Sequence, residues 1–166
     1  MDRCDACAFV YAELDAGDAP ARMRAFAPAY RDRLVGPDAS RLRTRPGPGT
    51  WSALEYACHV RDVFEVQNER VLLALAEDTP TFVPMGRDER AVDRRYNEQD
   101  PLVVAAELAA AAEELAVTLE GLDEAGWSRT GIYNWPAPAE RDLAWLARHT
   151  VHEGLHHLRD VDADLR

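Results

Sequence analysis

The sequence predicts an all-α protein, a four-helix bundle with long connecting loops. Three observations lead there. Four segments repeat apolar residues at helical spacing, and the stretches between them are rich in proline, glycine and charge. No segment alternates apolar and polar residues in the manner of a half-buried strand. A chain of 166 residues suits one domain, and with 47% hydrophobic residues it can bury a core without disulfide bonds. Four amphipathic helices without a sheet bury their apolar faces most simply against one another.

Residues 1–19 are read as an N-terminal extension carrying C-x-x-C, ahead of a bundle domain over residues 20–166. The first helix runs from Pro20 to Leu34, with Pro20 suited to its first turn and Pro28 placed to kink it. The loop from Gly36 to Gly49 is too rich in proline and glycine to continue it. A long second helix spans Ser52 to Glu77, capped by Thr50 or Ser52 and followed by Thr79-Pro80. Residues 81–100 are polar and irregular, with room for one helical turn. The third helix, Leu102 to Leu122, is built from Ala, Glu, Leu and Val, with Leu102, Leu108, Leu115 and Leu119 as its apolar stripe. The fourth helix runs from Glu140 to Asp160 after a loop over residues 123–138.

Composition excludes several functions. Acidic residues outnumber basic ones by 30 to 19, giving a net charge of −11, which opposes binding to phosphate backbones. All 19 basic residues are arginine, so there is no lysine for a Schiff base, a pyridoxal anchor or a Walker A loop. No apolar run approaches the ~18 residues of a membrane span, and the N-terminus lacks the pattern of a secretory signal. Three cysteines without such a signal fit a reducing cytoplasm, with thiols or metal ligands in place of disulfides. The expected partner is a small molecule or thiol, and neither nucleic acid nor a membrane.

The five histidines fall in two places, His59 in the second helix and His149, His152, His156 and His157 in the fourth. His152 and His156 stand about 40° apart on a helical wheel and point the same way, while His157 points elsewhere. Around His59 lie Ser52, Glu55, Asp62, Val63 and Val66. Two histidines from one helix and a third from a facing one supply three ligands for a divalent metal, leaving positions open to water or substrate. The expected metal ligands are therefore His59, His152 and His156, with Glu55 or Asp62 holding the second ring nitrogen of His59. Satisfied core histidines are the structural alternative.

His152-Glu153-Gly154-Leu155-His156 also spells the H-E-x-x-H of zinc proteases. Only ten residues follow His156, and Arg159 and Asp162 stand where the longer protease pattern carries Gly and His. Glu153 lies ~100° around the helix from His152, and no strand is expected to align a peptide. Protease activity is set aside on those grounds.

These residues resemble the DinB/YfiT-like superfamily of metal-binding four-helix bundles. The resemblance rests on Trp51, Ser52, Glu55 and His59 within W-S-x-x-E-Y-x-x-H and on His152, His156 and His157 within H-x-x-x-H-H, and it spans residues 20–162. It implies a zinc or nickel ion on His59, His152 and His156, and a homodimer. Several members are thiol-dependent transferases or isomerases using mycothiol, bacillithiol or glutathione. The mycothiol-dependent maleylpyruvate isomerase branch is less similar, because it carries a glutamate at the place of His152. The expected function is thus a metal-dependent thiol S-transferase. The rivals are a non-catalytic metal-stabilised binding or stress-response protein and a metal-assisted hydrolase.

Other residues carry weaker signals. Cys4-x-x-Cys7 is half of a zinc knuckle, for which Cys58, His149 and His157 are the other candidate ligands. It also reads as a redox pair without a thioredoxin context, or as a packed or disordered terminus. Cys58 is expected in the core, and Trp135 is placed to wall the metal cleft. Arg87, Arg90, Arg94 and Arg95 form either a solvated face or a steering patch for a carboxylate-bearing thiol.

Overall fold

A computed structural model describes residues 3–36 and 38–166; residues 1 and 2 of the extension and Pro37 of the first loop lie outside them. Seven helices occur among the described residues: α1 (Ala19–Val35), α2 (Ala39–Arg43), α3 (Ala53–Ala76), α4 (Arg87–Asp93), α5 (Pro101–Glu120), α6 (Glu124–Trp127) and α7 (Leu143–Asp164). The four long ones, α1, α3, α5 and α7, form the bundle. Their starts are set by side chains that satisfy the orphan N–H groups of a first turn. Ser52 opens α3 with a capping box: its hydroxyl accepts from the Glu55 N–H at 3.3 Å, and the Glu55 carboxylate accepts from the Ser52 N–H at 2.9 Å. Asp100 caps α5 ahead of Pro101, and Asp142 caps α7 by accepting from the Trp145 N–H at 2.7 Å. Pro20 sits in the first turn of α1, and that helix runs unbroken past Pro28.

α1 packs against α5 and α7, and α3 packs against the same two helices. The consecutive long helices α1 and α3 therefore stand on one diagonal, and α5 and α7 on the other. Each diagonal step needs a connection that crosses an end of the bundle, which the long segments 36–52 and 121–142 provide. Met23, Phe26, Tyr30, Phe64, Leu108, Leu115, Leu119 and Leu146 fill the centre. Leu102 departs from the expected stripe, because it lies in the first turn of α5 and is 59% exposed.

One expectation is overturned. Residues 130–142 form a hairpin of two short antiparallel strands, β1 (Thr130–Tyr133) and β2 (Ala139–Asp142), with Thr130 opposite Asp142 and Tyr133 opposite Ala139. α7 accordingly begins at Leu143, since Glu140 belongs to β2. Four-residue strands are too short to display alternation, and these are held by backbone pairing and by Phe82. The Phe82 N–H donates to the Ile132 carbonyl at 3.0 Å, and a Cβ on Gly131 would lie 2.3 Å from the Phe82 ring. The polar segment before α5 holds α4 and a 3₁₀ turn, Tyr96–Glu98, more helix than the single turn expected.

The extension packs on the bundle. Cys7, Tyr11 and Ala16 are buried, and the Arg148 guanidinium donates to the Leu14 carbonyl at 2.8 Å. α1 and α7 approach closely at Gly154, where a Cβ would meet the Phe26 ring at 2.6 Å. The Tyr30 hydroxyl donates to the Gly154 carbonyl at 2.9 Å. Gly154→Ala should lower the unfolding free energy by about 1–3 kcal/mol by forcing Phe26 aside. Ser52→Ala should cost about 1 kcal/mol by opening the capping box. Urea unfolding with an unchanged m-value would measure both.

Candidate metal centre

α7 carries two adjacent rows of side chains at i, i+4 spacing. Trp145, His149, Glu153 and His157 form one row, while His152 and His156 lie on the next. The close approach at Gly154 turns one side of the helix to α1. At ~100° per residue, Glu153 and His157 then stand roughly 80° from that side, and His152 and His156 stand roughly opposite it. The first pair thus faces α3, and the second faces the extension.

Toward α3, His59, Glu153 and His157 each bring a donor atom within 4.8 Å of the others. The Glu153 carboxylate lies 3.6 Å from His157 Nε2 and 3.9 Å from His59 Nε2. Both distances are too long for hydrogen bonds, so the three groups aim at a shared point without bonding one another. Ligands of one zinc-sized ion stand about 3.0–3.5 Å apart, so the donor atoms must draw closer together to close on an ion. His157 Nδ1 donates to Asp160 at 2.8 Å, which leaves Nε2 facing Glu153. Burial pushes His59 below its ordinary pKa despite nearby Glu153. Burial opposes charge on His157 as well, but Asp160 and Glu153 outweigh it and hold that imidazole at about 9. Glu153 stays well below the carboxylate range although burial opposes it, because His152, His157 and His59 surround it. No arginine pairs with Glu153 among the described residues; its partners are imidazoles of His59, His149, His152 and His157. A half-buried carboxylate ringed by imidazoles is a donor set that fits a divalent metal.

Toward the extension, Cys4, Cys7, His152 and His156 form a second group within 4.8 Å. Among the described residues, His59 shares no such group with His152 and His156. Tyr11 braces this side, its hydroxyl 2.8 Å from His149 Nδ1 and 3.2 Å from His152 Nδ1. Burial works against ionising Cys4, yet the Cys7 backbone and contacts with His152, Cys7 and His156 bring it down to about 6. Cys58 belongs to neither group and is fully buried, its thiol pushed up to about 12 by burial. Sequence reasoning did not group Glu153 and His157 with His59, although they form a second i, i+4 pair one residue out of step with the first.

The two side chains expected behind His59 are engaged elsewhere. Glu55 belongs to the capping box and pairs with Arg45, whose Nε donates at 2.8 Å. Asp62 is fully buried, 2.8 Å from Arg61 and 3.1 Å from Arg94, and accepts from the Tyr96 hydroxyl at 2.7 Å. Arg90 reaches Asp62 at 3.4 Å and Arg95 pairs with Glu98, so most of the arginine run neutralises carboxylates. Only Arg87 of that run lines the cleft over the donor atoms.

That cleft has a volume of about 560 Å³, with His59, Glu153 and His157 on its surface. Arg70 lies in its wall, donating to Gln67 at 3.3 Å and to the Val83 carbonyl at 2.8 Å, with its guanidinium 5.1 Å from the centre of the Tyr133 ring. No carboxylate pairs with Arg70 within 4.0 Å among the described residues, although burial disfavours its charge. Trp135 lines the rim and is 70% exposed.

A family model described as the DinB superfamily matches residues 22–161. The chain belongs to the DinB superfamily. No curated protein matches the sequence. Among solved structures, this DinB-superfamily chain is similar to YfiT from Bacillus subtilis, described as a probable metal-dependent hydrolase with an unusual four-helix bundle topology. The TM-score is 0.82 at 17% identity, covering 90% of this chain and 85% of that one. It is also similar to the mycothiol-dependent maleylpyruvate isomerase, with a TM-score of 0.72 at 16% identity. That match covers 92% of this chain but 63% of the isomerase. At these identities the likeness is one of fold. No helix among the described residues is long and apolar enough to cross a membrane.

Asp62→Ala separates the buried arginine cluster from the metal centre. It should cost about 3–5 kcal/mol of stability by removing the buried carboxylate that Arg61, Arg90, Arg94 and Tyr96 share, leaving Arg61 only half-exposed Glu107 as a counter-charge. It should leave the metal content per folded chain unchanged, because Asp62 faces Tyr96 and arginines. Denaturant unfolding and elemental analysis of the soluble fraction would read the two effects.

Proposed function

We propose that His59, Glu153 and His157 hold a divalent ion, zinc or nickel, and that the protein is a metal-dependent enzyme acting on a small anionic molecule by thiol-dependent group transfer. The observation that carries this reading is the convergence of three unbonded donor atoms on an open cleft of substrate size. A bound divalent ion would supply Lewis acidity, lowering the pKa of a thiol or water it holds. The chain's own groups support that role. Asp160 keeps the Nδ1 proton on His157 and presents its Nε2 to the cleft, where a bound ion would displace the Nε2 proton. Arg70, aromatic-backed and without a carboxylate partner, suits a substrate or cofactor carboxylate in a chain of net charge −11. Met85 and Trp135 line the cleft and offer apolar surface to a bound molecule. A carboxylate-bearing thiol carrier matches both the donor set and the arginine.

Single replacements His59→Ala, Glu153→Ala and His157→Ala should each remove one equivalent of metal from the purified protein. Retention of full metal content in all three would refute the site. The activity class is read from a cobalt-substituted Cys4→Ser/Cys7→Ser variant, in which no protein thiol lies near the cleft. Mycothiol, bacillithiol or glutathione should raise a sulfur-to-cobalt charge-transfer band, and for bacillithiol or glutathione, which carry carboxylates where mycothiol does not, Arg70→Gln should weaken that binding about tenfold. A response to azide but to no thiol would favour the hydrolase. A response to neither would mean a closed coordination shell and a structural ion.

A further inference from the structure

Cys4 and Cys7 come from the extension, and His152 and His156 from the side of α7 turned away from α1. All four place a ligand atom within 4.8 Å of one another. We propose that they form a second metal site, a closed tetrahedral zinc centre that fastens the extension to α7. It shares no residue with His59, Glu153 and His157, and it stands whether or not that site binds metal.

The donor chemistry is that of a structural zinc site, two thiolates and two imidazoles with no position left for substrate. The Cys4 sulfur lies 3.6 Å from His156 Nδ1. With zinc–sulfur near 2.3 Å and zinc–nitrogen near 2.0–2.1 Å, the sulfur–nitrogen edge of a tetrahedron is about 3.6 Å. Cys7 is 2% exposed and His152 6%, so both are desolvated before any ion arrives. His152 Nε2 is buried and has no hydrogen-bond partner among the described residues, while Tyr11 and Glu153 flank its Nδ1 at 3.2 and 3.3 Å. A buried imidazole nitrogen left without a partner is costly unless a ligand takes it. The chain between the cysteines folds back as a knuckle: the Cys4 N–H donates to the Phe9 carbonyl at 2.9 Å, and Arg3 bridges Val10. Two thiolates balance the charge of Zn²⁺, and binding releases the thiol protons to solvent. Thiolates also prefer zinc to harder ions, which separates this donor set from the carboxylate-containing one.

Zinc analysis of protein purified without chelator tests the assignment. His59→Ala removes the other site, and this variant should retain one equivalent of zinc. Its X-ray absorption spectrum should show two sulfur ligands at about 2.3 Å. Cys4→Ser/Cys7→Ser and, separately, His156→Ala should each lose that equivalent, with circular dichroism checking that the bundle remains. A sulfur-free shell, or no zinc in folded His59→Ala, would overturn the proposal. So would a disulfide between Cys4 and Cys7, read as a mass two hydrogens lower. If the His59→Ala content matches wild type while the cysteine variant loses its zinc, this site stands and the cleft site fails.

Discussion

The rotation of α7 about its own axis governs what the rest of the molecule can do. That rotation is set where α7 meets α1. Gly154 leaves no Cβ, the Phe26 ring fills the space, and Tyr30 anchors the Gly154 carbonyl at 2.9 Å. With Gly154 held there, helical geometry sends Glu153 and His157 to α3 and sends His152 and His156 to the opposite side. A turn of one residue position would bring His152 and His156 to α3 and push Glu153 and His157 against α1. It would also drive a side chain into Phe26, so packing of the core and placement of the imidazoles are one constraint.

The same constraint explains how much of the protein was legible in its sequence. The long helices were readable because their ends carry local chemistry: Ser52 with Glu55, Asp100 with Pro101, and proline in the first turn of α1. The hairpin was not, because TGIY and AERD are too short to show a period and depend on pairing with each other and with Pro80, Thr81 and Phe82, which lie far from them in the chain. At the candidate centre, the residue types and helices were readable, but which row of α7 meets His59 was not. A helical wheel gives angles within one helix and says nothing of which side meets a neighbour. Glu153 with His157 has the same spacing as His152 with His156, so periodicity cannot choose between them. The partners of Cys4 and Cys7 were illegible for a related reason. The extension has no periodicity, and its contacts are with Leu14-binding Arg148, His152 and His156 far along the chain.

Charge follows a similar division. In a chain that uses only arginine as its base, Arg90, Arg94 and Arg95 look like one basic patch in sequence. In the fold they point to Asp62, Glu65 and Glu98. Arg61 and Asp62 are fully buried neighbours on α3, a pair that needs the surrounding guanidinium and phenol groups to offset desolvation. This leaves Arg70 and Arg87 as the guanidinium groups lining the cleft. Arg70 is the more informative, since its hydrogen bonds go to neutral acceptors and its charge is not cancelled by a carboxylate.

The two proposed sites on α7 are neighbours, and His152 and Glu153 meet at their boundary. The ring of His152 belongs to the cysteine side, yet its Nδ1 lies 3.3 Å from the Glu153 carboxylate. Tyr11 joins the same boundary by reaching both His149 and His152. Whatever fixes the His152 ring therefore also fixes one oxygen of Glu153, leaving the other to face His59 and His157. An imidazole held through one nitrogen and hydrogen-bonded through the other is the usual means by which proteins orient a group next to a metal. On this view the extension is more than a cover for α7. It supplies Tyr11 and the cysteines that restrain His152, and through His152 it restrains the carboxylate at the mouth of the cleft.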